Sequence, residues 1–173
     1  MAARGLCPKG VEEQTLDITF TVTFTFTMTL DPQFKVRLAE SGDVNFILKT
    51  WLRESRRATP RAMPDSLFYN EFTKIIHLII PKSEARILCA ADDPQYIVAF
   101  AIGTTYLDIG TTVLHFCYTR PPFRRLGFIK EMMFELGYKP GYEIVATHWS
   151  EIAYKLLRDD LIYNPYILYS VTL

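Results

Sequence analysis

The sequence predicts an α+β domain of three layers, with helices on both faces of one mixed, mostly antiparallel sheet. Three observations lead there. From Phe34 onward the apolar pattern runs strand, two helices, three strands, helix, strand, helix, strand. The three consecutive strands are joined by links too short for a crossover, which makes them an antiparallel meander. A basic, glycine-containing turn then separates the last of them from an amphipathic helix. With 173 residues, 49% of them hydrophobic and 14% aromatic, the chain has the material for one sizeable core.

Residues 1–33 form an N-terminal extension, and 34–173 the domain. Within the extension, threonines at every second position from Thr19 to Thr29 alternate with Phe20, Val22, Phe24, Phe26, Met28 and Leu30. Strict period two with such residues is a strand signal, and the apolar face needs a cover. The domain's own sheet is the first candidate, and a second copy in a homodimer the next.

Phe34 to Leu38 reads as a short strand. Ser41-Gly42-Asp43 offers capping side chains for a helix whose apolar stripe is Val44, Ile47, Leu48, Trp51 and Leu52. After a loop from Thr59 to Pro64, a second helix buries Phe68, Phe72, Ile75, Ile76 and Ile79 and stops before Pro81. Strands follow over Ala85–Ala91, Tyr96–Thr105 and Thr112–Thr119, with turns at Asp92-Asp93-Pro94 and Gly110. A helix over Arg124–Leu136 points Ile129, Met132, Met133 and Leu136 inward. Gly137 to Gly141 ends it, Glu143–Thr147 is a strand, Ser150–Leu157 a short helix and Tyr166–Val171 a final strand.

The 19 basic and 19 acidic residues cancel, so nothing draws the whole molecule to nucleic acid or an anionic surface. Three scattered cysteines without a CxxC pair argue against structural zinc and against a disulfide framework, and they suit a reducing, cytoplasmic setting. No stretch has the ~20 apolar residues of a spanning helix. Three histidines without close carboxylate spacing give no metal site.

The informative stretch is Leu114-His115-Phe116-Cys117-Tyr118-Thr119-Arg120-Pro121-Pro122-Phe123-Arg124-Arg125-Leu126-Gly127-Phe128-Ile129. A strand ends, prolines turn the chain, and an arginine-rich glycine turn opens a helix. Unpaired N–H groups at a helix start, together with the helix dipole, attract phosphate. Gly127 lets main chain approach an anion, and Arg124 and Arg125 add charge beside it.

On these residues the chain resembles the GCN5-related N-acetyltransferase superfamily, whose [R/Q]xxGx[G/A] turn after the fourth core strand cradles the pyrophosphate of coenzyme A. Arg124, Gly127 and Ile129 fall on the three motif positions, with Ile129 where the family has a small residue. The stretch LHFCYTRPPFRRLG is similar in particular to short phage-encoded acetyltransferase-like proteins. Glu40-Ser41-Gly42-Asp43 looks like the family's entry to its first helix, and the element order fits from residue 34 to the end.

The resemblance implies a sheet splayed between its fourth and fifth core strands. Main-chain groups of Cys117, Tyr118 and Thr119 would pair with the pantetheine arm of acetyl-CoA, the acyl donor. Arg124, Arg125, Leu126, Gly127, Phe128, Ile129 and Lys130 would hold the pyrophosphate. A small-molecule or protein amine would then attack the thioester directly, helped by a base and an acid. His115, read as sharing a face with Cys117, is the candidate base, with Asp108 behind it. The family's tyrosine acid aligns with Leu157, leaving Tyr154 as the candidate acid and Tyr163 as second choice. Cys117 as a nucleophile is disfavoured, since no flanking pattern lowers its pKa. His148-Trp149 reads as core packing before substrate stacking.

Two alternatives stand beside the enzyme. One is a binding or regulatory protein that keeps the fold without the chemistry. The other is a nucleic-acid-modifying member of the fold, using Arg53, Arg56, Arg57 and Arg61; the neutral net charge argues against it.

Overall fold

The computed structural model describes residues 30–58, 63–148 and 161–167. The threonine-alternating segment, Trp149, the 150–157 helix with Tyr154, and residues 168–171 lie outside them. The described residues form six strands in the order β1 (Phe34–Leu38), β2 (Glu84–Ala90), β3 (Ile97–Tyr106), β4 (Thr111–Thr119), β5 (Glu143–Ala146) and β6 (Leu161–Tyr163). The first four pair antiparallel, while β5 joins β4, and β6 joins β5, in parallel. The mixed, mostly antiparallel sheet of the sequence reading is therefore present.

The helices are α1 (Val44–Ala58), α2 (Asp65–Ile79) and α3 (Phe128–Glu135). Asp43 locks the entry to α1: its carboxylate accepts from the Glu40 N–H at 2.7 Å and pairs with Arg37 of β1 at 2.6 Å. Helices α1 and α2 bury Ile47, Trp51, Ile76 and Ile79 against Ile87, Phe100, Ile102, Phe116 and Tyr118 on one face of the sheet. On the other face α3 buries Phe128, Ile129, Met132 and Met133 against Leu88, Val98, Ala101, Leu114, Cys117 and Ile144. These two cores make the three layers.

A bulge in β4 positions everything that follows. Ile102 faces Phe116 and the next residue, Gly103, faces Leu114, so His115 is the extra residue. Leu114 and Cys117, three apart, consequently share the α3 side, and Phe116 and Tyr118 the α1/α2 side. Gly103 accommodates the bulge: a Cβ there would stand 2.5 Å from the Val113 carbonyl oxygen. Gly103→Ala is expected to lower unfolding free energy by about 2 kcal/mol in chemical denaturation, as overpacking against rigid main chain does.

Two expected boundaries are corrected. The helix expected from Arg124 starts at Phe128, because Arg125 and Gly127 have φ of 70° and 79° and cannot continue a right-handed helix. The last described strand is Leu161–Tyr163 rather than one beginning at Tyr166. Pro165 interrupts the chain there, and the Asn164 side chain accepts from the Tyr166 N–H at 3.0 Å, forming a turn.

Candidate functional site

The parallel β4–β5 ladder runs only from Thr111–Glu143 to Leu114–Ala146, and ends where the Thr147 N–H donates to the Leu114 carbonyl at 3.1 Å. Beyond that point β4 continues for five residues, 115–119, without pairing to β5. This is a fork between the fourth and fifth strands: among the described residues no strand pairs with roughly 16 Å of β4 edge on the β5 side, although residues 115–119 are buried. The Arg120 N–H reaches the Val98 carbonyl at 2.9 Å, so by alternation Phe116 and Tyr118 also direct their main-chain groups at β3. Those of Cys117 and Thr119 face the fork. Arg120 clamps this end of β4 further, its guanidinium lying over Tyr96 and Phe46 while its Nε donates to the Ile97 carbonyl.

The edge leads directly into the turn. Pro121–Phe123 form one 3-10 turn, Arg124 is extended, and Gly127 caps α3 in the left-handed region. A left-handed residue followed by a right-handed one turns three successive N–H groups, those of Gly127, Phe128 and Ile129, toward one side. The helix dipole reinforces that concavity. Arg125, Leu126 and Lys130 are exposed around it. Arg124 Nε donates to the Thr119 carbonyl at 3.1 Å, tying the turn to the end of the strand. The side chains of Phe128 and Ile129 are buried in the α3 core. Both therefore present only main chain to the turn, and the bulk of Ile129 lies away from it.

At the apex of the fork His115 is buried, 1% exposed, with Nδ1 3.1 Å from Thr147 Oγ1. The same hydroxyl is 3.1 Å from Nδ1 of His148. The His148 ring stands edge-on to Trp51 at 5.3 Å and to Phe72 at 6.0 Å, which places the group under α1 and α2. His115 and Cys117 thus do not share a face, contrary to expectation from simple alternation; the bulge reverses the parity between them. Burial, and then the neighbouring His148, lowers the His115 pKa to about 4, and burial likewise lowers His148 to about 4. Both rings are neutral at physiological pH.

Cys117 is buried and its thiol is pushed up to about 12, which leaves no thiolate to act as a nucleophile. Asp108 lies in the β3–β4 hairpin, ahead of the start of β4 at Thr111, which is itself roughly 13 Å along the strand from the fork apex at His115. That distance removes it from the fork. Tyr163 is half-exposed at the end of β6. The α1 arginines face their own chain's acids: Arg53 and Arg57 bond Glu54, and Arg56 bonds Asp65 at 2.6 Å. Among the described residues no cluster of His, Cys, Asp or Glu has the geometry to hold a metal ion, and no described helix is long and apolar enough to cross a membrane. Thr147 and His148 carried no catalytic signal in the sequence, since their approach to His115 depends on the parallel register of β4 with β5.

No protein-family model matches the chain, and no curated protein does. Solved structures give low-identity similarities. A possible acetyltransferase from Clostridium difficile 630 is 13% identical, with a TM-score of 0.47 over 76% of this chain and 91% of that one. A GCN5-related N-acetyltransferase from Kribbella flavida is 16% identical, with a TM-score of 0.44 over 65% and 70%. A predicted acetyltransferase with acetyl-CoA from Clostridium acetobutylicum is 15% identical, with a TM-score of 0.43 over 72% and 86%.

Proposed function

We propose that the chain is an acyl-CoA-dependent N-acyltransferase that moves an acetyl group from acetyl-CoA to an amine by direct attack. The observation that carries this is the continuity of the unpaired β4 edge with the N–H concavity at Gly127. A pantetheine arm offers amide groups, and the outward main-chain groups of Cys117 and the Thr119 N–H can pair with them as a further strand would, the Thr119 carbonyl being bonded to Arg124. The pyrophosphate then meets the N–H groups of Gly127, Phe128 and Ile129, with Arg125 and Lys130 beside it.

The thioester end of the ligand comes toward the fork apex, where His115, Thr147 and His148 are, among the described residues, groups able to move a proton. The acceptor is a small-molecule or protein amine entering from the α1/α2 side. A nucleic-acid substrate loses support from the ion-paired arginines of α1. Titration calorimetry with acetyl-CoA is expected to show one site per chain, and incubation with primary amines to release free thiol. Failure to bind at millimolar ligand removes the proposal. Binding without thiol release from any amine leaves the alternative of a non-catalytic acyl-CoA-binding protein.

A further inference from the structure

Among the described residues β1 has an incompletely covered face and an outer edge with no strand beside it. The buried partners of α3 come from β2, β3, β4 and β5, with Leu88 of β2 and Ile144 of β5 the outermost. On β1 the residues of that side are Phe34, Val36 and, by alternation, Leu38. Phe34 and Val36 are only half-buried, and Leu38 is 54% exposed. In the sheet order β1 comes first, so no described strand lies on its outer side. The Ala91 N–H donates to the Gln33 carbonyl at 2.8 Å and the Ala39 N–H to the Ala85 carbonyl at 2.9 Å, so the odd-numbered residues of β1 direct their main chain at β2. Phe34, Val36 and Leu38 direct theirs outward, where a further strand would bond them.

Asp31 reverses the chain directly ahead of β1. Its carbonyl accepts from the Phe34 N–H at 2.9 Å, its side chain accepts from the Gln33 N–H at 3.0 Å, and Pro32 occupies the turn. The chain arriving at Asp31 therefore comes back along β1. Leu30, the last apolar residue of the threonine alternation, is half-buried and packs, like Phe34 and Val36, against the α3 core. We propose that residues 19–30 of the same chain are the cover: they lie antiparallel along the outer edge of β1 as an added strand. Leu30 sets the parity, so Met28 and Phe26 follow it onto the α3 side and the threonines take the other. Each partner supplies what the other lacks. The segment has one apolar face to bury, and β1 has an apolar face and an edge to cover. Through so short a turn the chain's own segment meets β1 at little loop-closure cost, an advantage that a second copy lacks. The covered face continues to the glycine turn, since Phe34 stands edge-on to Phe123 at 5.8 Å and to Phe128 at 5.0 Å.

Hydrogen exchange followed by NMR on the full chain tests this at the Val36 and Leu38 amides, which face away from β2. Wild type is expected to protect both by about 100-fold over an unstructured peptide. Phe26→Ser/Met28→Ser is expected to lower that protection by about tenfold or more, while Thr27→Ser/Thr29→Ser, on the other face, changes it by less than about twofold. The Lys35 and Arg37 amides, directed at β2, report in each protein that the sheet is intact. Light scattering at the same concentration is expected to find the protected species monomeric. Free exchange at Val36 and Leu38 in wild type would overturn the proposal, and so would equal losses in the two double variants. Protection that accompanies a dimer and disappears on dilution would give the face to a second copy, which overturns it as well.

Discussion

Gly127→Glu is expected to weaken acetyl-CoA binding more than 100-fold, a loss of at least about 2.7 kcal/mol. Two effects add. Gly127 holds φ of 79° at the cap of α3, a conformation that costs a side-chain-bearing residue roughly 1–2 kcal/mol. The new carboxylate would also stand beside the N–H groups offered to the pyrophosphate, occupying them and repelling the ligand. Gly127→Ala shares the strain without the charge and separates the two, with a loss of about tenfold expected. Calorimetry on both variants, with circular dichroism to confirm folding, measures the difference. Unchanged affinity in Gly127→Glu would place the anion site elsewhere.

The second large effect is on stability as pH falls. His115 has an ordinary pKa of 6.5 when unfolded and about 4 when folded, so between those values the unfolded chain binds the extra proton. Stability from this group is complete above pH 6.5 and is lost as pH falls toward 4, by about 3 kcal/mol over the window. His148 acts in the same direction over the same window. Asp43 acts lower: its hydrogen bond with Arg37 holds its carboxyl below the ordinary 3.8, so its contribution disappears only in stronger acid. Urea unfolding at pH 7, 5.5 and 4 is expected to show the midpoint falling steeply in wild type. His115→Gln, which cannot titrate but can still bond Thr147, is expected to flatten the fall. A parallel decline in both proteins would show that the folded histidine protonates as freely as the unfolded one.

Much of this was legible in the sequence. Period-two runs and short turns identified β2, β3 and β4, because alternation and turn chemistry are local. Apolar stripes located α1 and α2 for the same reason. The glycine turn ahead of α3, on which the proposed anion site rests, was readable because a glycine, two arginines and a helix start lie within a few residues.

What was not legible depends on contacts or dihedral angles without a residue signature. Arg125 takes a left-handed conformation that arginine seldom adopts, so the helix appeared to begin four residues early. The bulge at His115 follows from the close approach of Gly103 to Val113, and without it alternation puts His115 on the face of Cys117. The partnership of His115 with Thr147 spans 32 residues and exists only because β5 lies parallel to β4.

The bulge at His115 bears on what that residue adds to the strand. Without it Leu114 would still face Gly103 and Phe116 would still face Ile102, a regular ladder in which both cores keep their register. The sheet has no need of the extra residue for its pairing. What the insertion contributes is an imidazole beside Thr147, held where β5 leaves β4.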